Sequence, residues 1–265
     1  MAARYVLVLD AGTSGARSLV FDRDARIVGF CSSVQDHLVE EDAPCLARAY
    51  DPRALWSTFC RLIQGSLRDA GIEPGQVSVV SATSQRQAVV FLDGAGREIY
   101  AGPNLDLRAV FEGAAIDEEM RERVYRTTGH LPSLFFTPAK LRWFQNHRPE
   151  AYGRIAGVLT LADWLIWRLT GVLVSEPSLA GEAGLLDVHR RQWCTDLLAD
   201  LGLAANDHPL AQAGTMAGSV STAAAAETGL SKGTPVAVPG ADTQCGLLGL
   251  GVAAEHQVGV VAGWS

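Results

Sequence analysis

Two carboxylates stand out by what surrounds them. Asp10 closes the apolar run that begins at Tyr5 and leads into Ala11-Gly12-Thr13-Ser14-Gly15, after which the chain turns apolar again as far as Phe21 and Asp22. A strand that enters a small-residue turn and leaves as a second strand makes a hairpin. Its tip offers backbone N–H groups, two hydroxyls and one carboxylate, which is what a phosphate chain with its magnesium ion needs. The same pattern also closes an ordinary tight turn. Asp242 ends the short run Thr234-Pro-Val-Ala-Val-Pro-Gly-Ala and opens a small-residue helix. A carboxylate there sits in positive dipole potential, stays ionised and is ready to accept a hydroxyl proton; the plain alternative is a helix N-cap. Arg86 follows another strand, and a guanidinium donates to several hydroxyls in fixed geometry. No nucleophile and base are paired for covalent catalysis.

The elements that must position these groups are legible in outline. Three apolar segments near Val6–Leu9, Ser18–Phe21 and Ile27–Cys31, separated by short turns, predict an antiparallel meander. Asp51 is placed to cap a helix and Pro52 to open it. Leu55, Trp56, Phe59, Leu62, Ile63 and Leu67 repeat with helical period until Gly71 and Pro74. The next strand, Val77–Ala82, lies one crossover helix from the meander and is expected parallel to it. Gln85–Leu92 reads as a returning strand, so the first hundred residues spell β-β-β-α-β-β. Residues 106–200 read as mostly helical, with starts at Thr137-Pro138 and Thr160 and stops at Gly171 and Gly202. A final strand is expected at Val258–Ala262. Trp143, Trp164, Trp167 and Trp193 fall in helical patterns and read as packing residues.

Composition narrows the function classes. At 265 residues, 48% of them hydrophobic, the chain can build a sizeable core. A net charge of −7 leaves no electrostatic footprint for nucleic acid or an anionic membrane, so an anionic ligand has to be held locally. The five cysteines are scattered and the histidines never fall at zinc-ligand spacing, so the cysteines, Cys245 included, read as small core residues in a reducing compartment. With no secretory leader and no run of transmembrane length, the expected location is the cytoplasm. A homodimer is compatible with the sequence.

Taken in order, the motifs resemble the FGGY family of carbohydrate and polyol kinases. The pieces are Leu9-Asp10-Ala-Gly-Thr-Ser-Gly-Ala-Arg17; Ser84-Gln85-Arg86-Gln87; Asn104-Leu-Asp106-Leu-Arg108; Thr128-Gly129; Thr137-Pro-Ala-Lys140-Leu-Arg-Trp143; Asp163-Trp-Leu with Leu169-Thr-Gly171; Glu176-Pro-Ser178-Leu-Ala180 with Leu186-Asp187; Thr228-Gly-Leu-Ser-Lys-Gly-Thr-Pro-Val236; and Gly240-Ala-Asp242-Thr-Gln-Cys-Gly246. The Asn104–Arg108 and Glu176–Ala180 pieces are similar to autoinducer kinases and xylulose kinases, Ser84-Gln85-Arg86 to glycerol kinases.

The resemblance implies an α/β fold of the actin-like, ribonuclease H-like ATPase kind: a mixed five-stranded sheet flanked by helices, with a helical insertion. It divides the chain into a sugar-binding domain over residues 1–235 and the start of a nucleotide-binding domain over 236–265. The closing Gly263-Trp264-Ser265 stands where relatives carry a phosphate-contacting turn, so the chain is expected to be one part of a longer kinase. The implied substrates are ATP and a small sugar or polyol, with Mg2+ beside Asp10. Gly12, Thr13 and Ser14 would contact the transferring phosphate, with Arg17 adding positive charge. Asp242 would be the general base. Gln85, Arg86, Gln87, Asp106, Phe135 and Asp242 would face the sugar, although Asp106 and Arg108 are equally placed to pair with each other at the surface. Gln87 stands where glycerol kinases place an acid and Phe135 where they place a tyrosine, which favours a substrate larger than glycerol. Two other readings are a non-catalytic sugar-binding fragment and an actin-like or heat-shock-like ATPase, the latter disfavoured by the Gln85-Arg86 and Leu169-Thr-Gly171 segments.

Overall fold

A computed structural model describes residues 4–40, 45–204 and 208–260. The meander is present as Tyr5–Ala11 (β1), Gly15–Phe21 (β2) and Ile27–Val34 (β3), antiparallel throughout, with Asp10 opposite Arg17. The helix Pro52–Ala70 (α1) forms as its sequence dictates. The Asp51 carboxylate accepts from the N–H groups of Arg53 and Ala54, Pro52 takes the first turn, and Gly71 ends the helix in the left-handed conformation at φ 62°. Its apolar stripe of Leu55, Trp56, Phe59, Leu62, Ile63 and Leu67 is buried against the sheet. Gly29 lets this contact close, because a Cβ there would lie 2.3 Å from the Ser66 carbonyl oxygen.

The crossover by α1 brings Val77–Ser84 back parallel to β1, with Thr83 beside Asp10 and Ser84 beside Ala11. Pro235–Ala237 pairs parallel with Val77–Ser84 on its other side, and Met216–Ser219 pairs antiparallel with Pro235–Ala237. The sheet is mixed as expected but has six strands, one more than the expected five, in the order Met216–Ser219, Pro235–Ala237, Val77–Ser84, β1, β2, β3. The extra strand, Met216–Ser219, is only Met-Ala-Gly-Ser, with no apolar run longer than two residues to announce it. Three parallel strands therefore end at one edge, and the segments that follow them carry the candidate chemistry.

The expected strand over Gln85–Leu92 is corrected. Residues 85–88 form a turn, with Gln87 left-handed at φ 65°, and the strand runs Val89–Asp93. It leaves the main sheet to pair antiparallel with Glu98–Gly102 and Ile155–Thr160. All five of its residues are buried, Val90 and Leu92 in the core shared with the main sheet and α1, Val89 and Phe91 in a separate cluster with Tyr100 and Phe144.

The helical region opens with Val110–Thr128 (α2), whose N-cap position, Ala109, supplies no capping side chain, so no start signal marks it in the sequence. Thr137–His147 (α3) and Leu161–Thr170 begin where expected, the second capped by Thr160 and ended by Gly171 at φ 79°. Thr195–Asp200 stops just short of Gly202. Trp164 is fully buried between the sheets and Trp143 packs edge-on against Phe144 in a second core cluster with Phe91 and Tyr100. Each fully buried large apolar side chain contributes about 1.5–3 kcal/mol.

Two expectations fail in this part of the molecule. Only Cys60 and Cys194 are buried, whereas Cys45 and Cys245 are exposed, Cys245 in the helix Asp242–Gly249, none of whose residues is buried. Val258 and Val260 are exposed and not in a strand; Ala262 and the Gly263-Trp264-Ser265 turn lie outside the described residues.

Candidate functional site at the sheet edge

The hairpin tip is built by three different segments. Gly12 N–H donates to the Gly15 carbonyl at 3.0 Å and closes the turn. That donor is therefore spent, and what Gly12 contributes instead is room: a Cβ there would lie 3.1 Å from the Gly15 oxygen and 3.4 Å from Arg17 Nη1. Among the described residues the N–H groups of Thr13 and Ser14 take no backbone acceptor, and Ser14 is exposed. Asp10 and Arg17, facing each other across the strand pair, are bonded at 2.6 Å with both side chains partly open to solvent.

From the second segment, Gln85 donates through Nε2 to the Gly12 carbonyl at 3.2 Å and to the Tyr50 hydroxyl at 2.7 Å. The third is the loop after Gly102. Asn104 N–H donates to Gln85 Oε1 at 3.1 Å, and its side-chain amide pairs with the Thr13 hydroxyl, Nδ2 donating at 3.1 Å. Asn104 thus locks the tip of the hairpin to the turn at residues 85–88. Its role is not legible in its motif: a short amide between Pro103 and Leu105 carries no local sign of a partner 91 residues away.

Asp242 reaches the same edge through the backbone. Thr83, the parallel neighbour of Asp10, donates from its hydroxyl to the Gly240 carbonyl at 2.8 Å, so the segment entering Asp242 is fastened beside the hairpin strand. Asp242 is exposed and occupies the first position of the helix Asp242–Gly249; Ala241 is the N-cap. Its Oδ1 accepts from the Thr243 N–H at 2.7 Å, so the helix start holds the carboxylate with its negative charge at the positive end of the dipole.

Arg86 is exposed and makes no ion pair or side-chain hydrogen bond among the described residues, which leaves its guanidinium available at this edge. Gln87 is half-buried. Phe135 is half-exposed just before α3, and its N–H donates to the Ser133 hydroxyl at 3.2 Å.

The structure corrects Asp106. It is fully buried, Oδ1 accepts from the Arg48 N–H at 2.9 Å, and Oδ2 accepts from Arg108 Nε at 2.7 Å and from the Tyr100 hydroxyl. Asp106 and Arg108 do pair with each other, but in the interior and not at the surface. Arg108 also holds Glu40 at 2.8 Å and stacks over Tyr100 and Trp143. Burial works against the Arg108 charge, but Tyr100, Asp106 and Glu40 beside it hold its proton more firmly than usual. Asp106 anchors the Asn104 loop and has no open face for a ligand.

A cleft of about 520 Å3 is lined by His130, Glu176, Ser178, Arg191, Gln212 and Gln244, the last from the helix that Asp242 opens. A larger cleft of about 660 Å3, lined by Arg123, Arg126 and Arg190 among others, shares no residue with the hairpin or that helix.

Residues 5–249 match the model of the FGGY family of carbohydrate kinases, N-terminal domain. The chain belongs to the FGGY family. This family member is 36% identical over 264 residues to the autoinducer-2 kinases of Salmonella choleraesuis (strain SC-B67) and Escherichia coli O139:H28 (strain E24377A / ETEC), covering 98% of this chain and 49% of each relative. Among solved structures, xylulose kinase from Rhodospirillum rubrum superposes with a TM-score of 0.85 at 26% identity, over 95% of this chain and 51% of that one. Glycerol kinase of Plasmodium falciparum, at 18% identity and a TM-score of 0.80, shows the fold alone. The chain spans about half the length of the curated relatives it matches. These matches establish an FGGY kinase N-terminal domain of actin-like, ribonuclease H-like architecture. Among the described residues no helix is long and apolar enough to cross a membrane.

Proposed function

We propose that this chain is the sugar-facing part of an ATP-dependent carbohydrate kinase that works in the cytoplasm. The observation that carries the reading is the bond from Thr83 to the Gly240 carbonyl, which joins the segment leading to Asp242 to the strand beside Asp10. A proton acceptor and a phosphate-holding hairpin then share one edge, as in-line transfer to a hydroxyl requires.

In this reading the exposed Asp242 carboxylate takes the proton of the attacking hydroxyl. The N–H groups of Thr13 and Ser14 and the Ser14 hydroxyl meet phosphate oxygens, with Arg17 adding charge-assisted donors. Arg86, beside Gln85 and Gln87, donates to substrate hydroxyls. Among the described residues no cluster of three or more His, Cys, Asp or Glu could hold a metal ion. Magnesium is commonly held through one or two carboxylates plus phosphate and water, and Asp10, beside the space that Gly12 keeps free, fits that mode. When bound, the ion neutralises charge on the transferring phosphate. The identities of the relatives put autoinducer-2 and xylulose first among candidate acceptors.

The test is ADP release by the complete product of the reading frame that contains this chain, across autoinducer-2, D-xylulose, other ketoses, aldoses and polyols. Release that depends on one of these compounds supports the reading. ATP hydrolysis that ignores every acceptor would favour a conformational ATPase.

A further inference from the structure

One fully buried charge has no part in the chemistry above. Lys140 lies in the first turn of α3 with no solvent exposure, and its Nζ donates to two backbone carbonyls, those of Gln87 and Pro103, each at 3.2 Å. Among the described residues it forms no ion pair with a carboxylate. Both its burial and its place at the positive end of a helix work against an ammonium. Burial pushes its pKa down to about 8, with Asp106 opposing and Arg108 adding to that shift. A methionine of similar length would fill the slot with neither cost, so the two carbonyls are what a lysine serves.

Those carbonyls belong to the two loops that complete the hairpin. Gln87 is the left-handed residue of the turn that carries Gln85 and Arg86, a conformation costly for any residue but glycine. Pro103 opens the loop whose Asn104 bonds Gln85 and Thr13. One side chain therefore fastens both loops from beneath, while Asn104 joins them above.

We infer that Lys140 is a positioning residue of the sugar site, holding Arg86 and Asn104 in register with the Asp10–Ser14 hairpin. The inference rests on the kinase reading for its functional half only. The test is Lys140→Met in the complete protein, followed in two ways. Amide hydrogen exchange should quicken about tenfold or more over residues 85–88 and 104–105, where the Gln87 carbonyl loses the Lys140 donor and the Pro103 carbonyl keeps only the Asp106 N–H, while β1–β3 and α1 exchange as before. In steady-state assays KM for the sugar should rise about tenfold, with KM for ATP and kcat within about threefold. Unchanged exchange in the two loops would overturn the inference. So would a variant that fails to fold, or one that loses kcat with KM for the sugar intact, since either would make Lys140 a general support of the core. If the unaltered protein releases ADP with no sugar, the kinase reading falls, and the exchange measurement still decides whether Lys140 fastens the loops.

Discussion

Replacing Asp106 with asparagine separates two roles that the sequence left open for it. The carboxylate is buried and accepts from Arg48 N–H, the Tyr100 hydroxyl and Arg108 Nε. An asparagine of the same shape keeps one acceptor, turns an NH2 toward donors, and removes the charge that faces Arg108. Breaking a buried ion pair from one side costs about 3–5 kcal/mol. Glu40 still partners Arg108 at 2.8 Å, so we expect the low end, about 3 kcal/mol. With urea slopes of about 1–3 kcal/mol per molar or somewhat more at this size, the unfolding midpoint should fall by about 1 M. Sugar affinity at low temperature, where the protein stays folded, should change little. A variant as stable as the parent that has lost sugar binding would refute the buried-anchor account and restore Asp106 to the ligand.

Two further outcomes follow from the same geometry. Burial pushes the Asp163 carboxyl up to about 7, against the hydrogen bonds it accepts. Its folded pKa lies above the unfolded value, so the folded state binds the extra proton. That contribution is complete below about pH 4 and fades as pH rises through 7. Asp163→Asn should therefore flatten the fall in stability between pH 4 and 7 seen in denaturant titrations; an unchanged pH profile would contradict the assignment. Gly29→Ala would place a Cβ 2.3 Å from the Ser66 carbonyl and 2.7 Å from the Ala70 Cβ. Forcing α1 off β3 should cost about 1–3 kcal/mol, visible as a lower melting temperature.

Much of this molecule is legible where the signal is local. The Asp51–Pro52 start, the helical stripe and the Gly71 stop fix α1, and a strand on each side of a crossover helix fixes parallel pairing, which brings Asp10 and Thr83 together. What escaped is set by distant partners. Val89–Asp93 is apolar at four successive positions, and such a run does not say which sheet it joins. Asp106 looks like a loop residue until Arg48, Tyr100 and Glu40 close around it and its neighbour Arg108. Asn104 and Lys140 gain their roles only when two loops, separate in the chain, meet at the hairpin.

The most direct test of the central claim is Asp242→Asn in the complete protein, with ADP release and sugar binding measured side by side. The account predicts a loss of turnover of about 10²–10⁴-fold, the worth of a positioned general base, with sugar affinity within a few-fold of the parent. Turnover retained within tenfold, or sugar binding lost together with turnover, would contradict it.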